Sequence, residues 1–171
     1  MARLSAVNGS TEESQEQGAL VERKVQEEED LIIELTPEGP SCQDRPILQK
    51  LRREFRKNRR LWRESRPDCY TYIFQRSCFC LPEFVEPIGV KVVNNEIVAT
   101  KPEDATMPLS MDDLYRTLKD AINRCETGDA YQVDVTYGKG GIIEELSIDS
   151  IALAIDDEIS YSTSDFKVCE A

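Results

Sequence analysis

Cys78-Phe79-Cys80 sets two thiols one residue apart at the end of an aromatic run, Cys69-Tyr70-Thr71-Tyr72-Ile73-Phe74-Gln75-Arg76-Ser77. On a strand, residues i and i+2 share a face and lie about 6.6 Å apart along the backbone. Such a pair offers two packing contacts, two ligands for a soft ion, or a redox centre. The extended spacing suits a disulfide between the two poorly, because bridged Cβ atoms sit roughly 4 Å apart. Arg76 lies on the same face and is the obvious cation to lower a thiol pKa there; Tyr72 lies on that face too. Packing is the first expectation for Cys78 and Cys80. A bridge from either to Cys69, Cys125 or Cys169 is one alternative, and redox or soft-metal chemistry is another. A metal site would need more thiolates, since the chain has no histidine and no second C-x-C or C-x-x-C.

A second constellation is a basic helix. Between Asp44 and Arg66 there are ten basic residues and three acidic ones, while the whole chain has a net charge of −12. Arg52, Arg56, Arg59, Arg60 and Arg63 mark the candidate surface. Phe55 and Trp62 accompany them but recur with Leu48 and Leu51 at helical spacing, so they are expected in the core and not as stacking platforms. A solvated face is the plain reading of the charges. The functional reading is an acidic protein partner, or the chain's own acidic leader. Nucleic acid is disfavoured by the overall charge, and an anionic membrane surface by the same sign.

The elements that must position these residues follow from periodicity. Residues 1–43 form an acidic leader, rich in Glu and free of aromatics, with too little apolar surface to order itself. Residues 44–171 form one domain. Pro46–Arg66 reads as a helix stopped by Pro67, and Cys69–Phe79 as a strand. Ile88–Val93 and Glu96–Thr100 flank Asn94-Asn95, a hairpin turn that tolerates positive φ. Ser110 and Asp113 open a second helix with an apolar stripe of Leu114, Leu118, Ile122 and Cys125, closed by Gly128. Tyr131–Tyr137 alternates as a strand, Gly138-Lys139-Gly140-Gly141 turns, Ile142–Ile148 returns, and Ile159–Thr163 adds a further strand. The fold class is α+β: an antiparallel sheet of about five strands with two amphipathic helices on one face. The order also hints at a duplicated helix–hairpin unit.

Composition narrows the function classes. Without histidine there is no Ser-His or Cys-His nucleophile and no common general base. Asp149, Asp156, Asp157 and Glu158 lack calcium-loop spacing and read as a solvated turn. Gly138–Gly141 lacks the spacing of a phosphate loop. No cofactor is expected. No run approaches the roughly 18 apolar residues of a membrane span, and Met1–Gly9 shows no apolar secretory stretch. The expectation is a cytoplasmic protein with reduced thiols.

Trp62, Tyr70-Thr71-Tyr72, Arg76-Ser77-Cys78-Phe79-Cys80 with Pro82, Val90, Val92, Val133–Tyr137, Gly141, Ile148-Asp149, Asp156-Asp157-Glu158 and Tyr161 together resemble the family catalogued as domain of unknown function 6174. The resemblance runs from Trp62 to Phe166, and the Cys-Phe-Cys element is its specific part. Leu81, Gly138 and Ile142 stand where the family usually has proline, aspartate and proline. The resemblance implies a compact α+β domain and brings no catalytic residues. The expected function is a non-catalytic interaction or ligand-binding domain; the alternative is thiol-based redox or soft-metal handling by Cys78 and Cys80.

Overall fold

A computed structural model describes residues 41–170 except 104, 106, 153 and 155. The expected acidic leader thus lies almost wholly outside the described residues. The elements run α1 (Arg45–Ser65), β1 (Cys69–Cys78), β2 (Ile88–Val93), β3 (Glu96–Lys101), α2 (Met111–Thr127), β4 (Gln132–Tyr137), β5 (Ile143–Asp149) and β6 (Ile159–Val168).

Pro46 in the first turn of α1 has its φ set for a helix start, and Pro67 beyond Arg66 cannot continue the helix. The start of α2 is a full capping box. The Ser110 hydroxyl accepts the Asp113 amide at 3.2 Å, and the Asp113 carboxylate accepts the Ser110 amide at 3.0 Å. Gly128 closes α2 at φ +86°, a left-handed position that glycine adopts without a Cβ clash. Asn94 and Asn95 turn β2 into β3 at φ 49° and 72°.

The strands form one antiparallel sheet in the order β3-β2-β1-β6-β5-β4. Its six strands fall on the six segments read as strands from the sequence, in keeping with the expected α+β sheet of about five. The sequence of β6, Ser160-Tyr161-Ser162-Thr163-Ser164, carries little apolar alternation. What extends it to Val168 is tertiary: Thr163 donates its hydroxyl to the Ile143 carbonyl at 2.5 Å, and Phe166 stacks on Tyr70 at 5.2 Å. The order helix–strand–strand–strand does occur twice. In an all-antiparallel sheet, however, the second triplet runs opposite to the first, so no rotation superposes the halves with both helices on one face.

Both helices cover that one face. Tyr70, Tyr72 and Phe74 of β1, Val90 and Val92 of β2, and Leu146 and Ile148 of β5 are buried with Leu114, Leu118 and Ile122 of α2. Trp62 of α1 meets Tyr70 edge-on at 5.4 Å and Phe166 at 6.1 Å. The opposite face carries Gln75, Ser77, Lys91 and Glu145 in solvent.

All six cysteines are paired, which corrects the expectation of reduced thiols. Cys42 bonds Cys125 in the last turn of α2, and both are buried. Cys69 bonds Cys169, directly across the β1–β6 pair. Cys78 bonds Cys80, so neither reaches Cys69, Cys125 or Cys169. Ser41 and Gln43 add hydrogen bonds to the Tyr131 and Ala130 carbonyls, at 2.9 Å each, beside the Cys42 bridge.

Burial pushes the phenols of Tyr70, Tyr72, Tyr115, Tyr137 and Tyr161 above their ordinary pKa. Tyr70 reaches about 12; the Met111 backbone amide pulls the other way, though no hydrogen bond closes between them. A phenol whose folded pKa is raised keeps its proton in the fold and loses it first in the unfolded chain. Its stabilising effect is therefore intact below about pH 10 and lost as pH rises toward 12. Alkaline titration followed by tyrosinate absorbance should show these phenols ionising cooperatively with unfolding. Smooth ionisation near pH 10 with the fold intact would contradict the buried packing.

Candidate functional site

A cleft of about 970 Å³ lies between α1 and α2. One wall is the fourth and fifth turns of α1 with its end, carrying Arg56, Arg59, Arg60, Arg63 and Arg66. The other is the start of α2, carrying Arg116 and Lys119. Phe55, Tyr115 and Ser110 line it between these walls. Helical geometry explains the placement. Arg56, Arg59, Arg60 and Arg63 follow i, i+3, i+4, i+7, so they form one stripe; Arg116 and Lys119, three apart, form a short stripe on α2.

Two carboxylates sit among these seven cations, and both are engaged. Asp112 accepts from Arg66 Nη1 at 2.8 Å and faces Arg59 Nη2 at 3.9 Å. Asp113 takes Arg116 Nη1 at 2.6 Å and the Ser110 hydroxyl at 2.6 Å, besides capping α2. The Arg59 guanidinium lies 5.3 Å over the Tyr115 ring, whose hydroxyl donates to the Gly141 carbonyl at 2.5 Å. Arg60 reaches Glu64 on its own helix at 3.9 Å. Arg56, Arg63 and Lys119 form no ion pair with any described residue. The cleft thus has a fixed floor, where Asp112 and Tyr115 hold Arg59 and Arg66 in place, and free cations at its rim. Its net formal charge is +5.

The residues expected from sequence fall in two places. Arg56, Arg59, Arg60 and Arg63 come together in the cleft. Arg52 does not: it pairs with Glu126 near the other end of α2. Arg66, Arg116, Lys119 and Asp112 also belong to the cleft. Only the pairing of the two helices brings in the three from α2, and helix pairing has no local sequence signal.

Cys78, Cys80 and Arg76 lie at the end of β1. The disulfide corrects the expectation drawn from extended spacing. Cys78 is the last strand residue; beyond it the Cys80 amide donates to the Cys78 carbonyl at 2.8 Å, closing a tight turn. That turn brings the two Cα atoms to 5.2 Å, within the range a bridge requires. Arg76 has no carboxylate partner among the described residues, and its Nη1 lies 3.6 Å from Met107 Sδ. Tyr72 is not presented at the surface. It is buried and donates its hydroxyl to the Leu109 carbonyl.

The profile of a family of unknown function (DUF6174) matches residues 54–168, about two thirds of the chain. The chain belongs to this family. The DUF6174 match opens within α1 and closes on the last residue of β6, so it takes in both walls of the cleft and the Cys78–Cys80 turn. It leaves out Arg52, Cys42 and Cys169. No curated protein and no solved structure matches the chain. Among the described residues no three His, Cys, Asp or Glu side chains are grouped to hold a metal ion. Asp149, one of the acidic cluster, accepts the Ile151 amide at 3.0 Å within its turn. No described helix is long and apolar enough to cross a membrane.

Proposed function

We propose that the chain is an interaction domain whose cleft between α1 and α2 binds an acidic polypeptide segment without reacting with it. The observation that carries this reading is a +5 cleft on a −12 chain, with Arg56, Arg63 and Lys119 unpaired at its rim. The sign contrast selects for a short ligand. A compact run of Glu or Asp side chains fits between the helices, whereas a long phosphate backbone would leave the cleft and cross an acidic surface. The start of α2 is also closed to a small anion, because Asp113 and Ser110 already occupy its capping positions. Phe55, half-buried and edge-on to the buried Tyr115 at 6.0 Å, adds a small apolar surface beside the arginines.

The leader is one source of such a segment. Residues 1–40 hold ten acidic and three basic side chains, and they lie outside the described residues. Deleting them should raise affinity for an added polyanion if the leader competes. Three disulfides favour an oxidising compartment over the cytoplasmic one expected from sequence.

The test is titration of the full chain with a labelled oligoglutamate peptide, followed by fluorescence anisotropy. Binding should weaken roughly tenfold or more between about 0.05 and 0.5 M salt, as surface charge pairs are screened. Arg63→Glu should weaken it by a similar factor, and Arg53→Glu, outside the cleft, should not. Equal effects of the two variants would contradict the reading, as would RNA binding that survives the higher salt.

A further inference from the structure

The three disulfides differ in what they close. Two join positions 83 and 100 residues apart, and so restrict the unfolded chain strongly. Cys78–Cys80 closes a loop with one intervening residue. Its effect on the unfolded chain is smaller, because the loop-closure entropy a bridge removes grows with loop length. It is also placed differently. Cys42 and Cys125 are buried, whereas Cys80 is exposed and Cys78 half-buried beyond the covered part of the sheet. Phe79, between the two sulfurs in sequence, is 87% exposed, and Leu81 is 61% exposed. Two large apolar side chains stand in solvent on a turn whose bridge does less for folding than the other two.

We propose that Cys78–Cys80 is a thiol–disulfide exchange centre that oxidises a protein dithiol, with Phe79 and Leu81 as the apolar contact for the segment carrying that dithiol. In the first step a substrate thiolate attacks Cys80 Sγ, the exposed sulfur. The Cys78–Cys80 bond breaks, a mixed disulfide forms, and Cys78 leaves as a thiolate. Arg76 lies two residues back on the same strand face with no carboxylate partner among the described residues, so its charge favours that leaving thiolate. In the second step the substrate's other thiolate attacks its own sulfur in the mixed disulfide and releases Cys80. Two electrons pass from substrate to protein, and the two protons lost by the substrate thiols end on Cys78 and Cys80. A low-molecular-weight disulfide restores the bridge by the reverse exchange. The turn suits this chemistry because both sulfurs sit on one short segment, and opening it leaves both long bridges intact.

The experiment uses the full oxidised chain with an equimolar synthetic peptide bearing two reduced cysteines flanked by apolar residues, quenched by alkylation and read by mass. The expected result is one oxidised peptide per chain, with alkyl groups on Cys78 and Cys80 only, and return of the bridge on adding oxidised glutathione. Cys78→Ser should trap a mixed disulfide on Cys80 when offered the oxidised peptide. Phe79→Ser should slow exchange roughly tenfold to hundredfold, the worth of one buried aromatic contact, with Cys78–Cys80 intact and the melting temperature unchanged. The proposal is overturned if the peptide stays reduced, or if Cys78–Cys80 opens no faster than the other two bridges. It is also overturned if Phe79→Ser reacts at the wild-type rate.

Discussion

Gly141→Ala lowers the unfolding free energy by about 3–5 kcal/mol, the range for a substitution that combines backbone strain with steric overlap. Two independent features set the size. Gly141 has φ +79°, where an L side chain is strained. A Cβ there would also fall 2.9 Å from the Trp62 amide nitrogen and well inside contact of the Asn58 carbonyl oxygen. Both neighbours are backbone atoms of α1, so nothing flexible moves aside. The Gly141 carbonyl meanwhile accepts the Tyr115 hydroxyl of α2. Glycine at this point lets one turn touch both helices, and it therefore fixes the width of the cleft. Gly128→Ala is the matched control: its φ is +86°, but nothing lies within 4 Å of the added Cβ. It should cost only about 1 kcal/mol. Chemical denaturation of the two variants separates strain from collision, and equal losses would contradict the close approach.

Removing the Cys42–Cys125 bridge by paired alanine substitution has the second large effect. The sequence separation is 83, for which the chain-entropy relation gives about 4.5 kcal/mol, against a usual measured range of about 2–5. Both side chains are buried, so some packing is lost as well. The bridge ties the chain just before α1 to the last turn of α2. Its loss should loosen the helix pair before the sheet. Hydrogen exchange would read this as lowered protection in α1 and α2 with β1 and β6 little changed. The same pair of substitutions at Cys78 and Cys80 should change stability by only about 1.5 kcal/mol, because the closed loop is so short. Comparable losses at the two bridges would contradict the distinction between a structural and an exchangeable disulfide.

Much of this architecture was legible in the sequence because the controlling interactions are local. The Ser110–Asp113 box, Gly128, the Asn94-Asn95 turn and the alternation of β4 each act within a few residues, and each appears where its chemistry directs. The polar strand β6 was foreseen only to Thr163, because its far half is held by Tyr70 and the neighbouring strand and not by its own pattern. Gly138–Gly141 reads correctly as a turn, yet nothing local shows that it packs on α1. The same limit applies to the cleft. Four of its arginines form a stripe on one helix and are visible as such. Arg116, Lys119 and Asp112 join them only through helix pairing. The cysteines failed for a different reason: strand spacing was applied through Cys80, although the strand ends at Cys78 and the turn beyond it shortens the distance.

The central claim is that the cleft, and not another part of the surface, receives an acidic segment. Backbone amide shifts recorded during titration with oligoglutamate test it most directly, since they locate the contact without any substitution. The account predicts that the largest changes fall on Arg56, Arg59, Arg63, Arg116 and Lys119, fade with added salt, and leave β5 and β6 unmoved. Changes centred on the open face of the sheet, or none at saturating peptide, would contradict it.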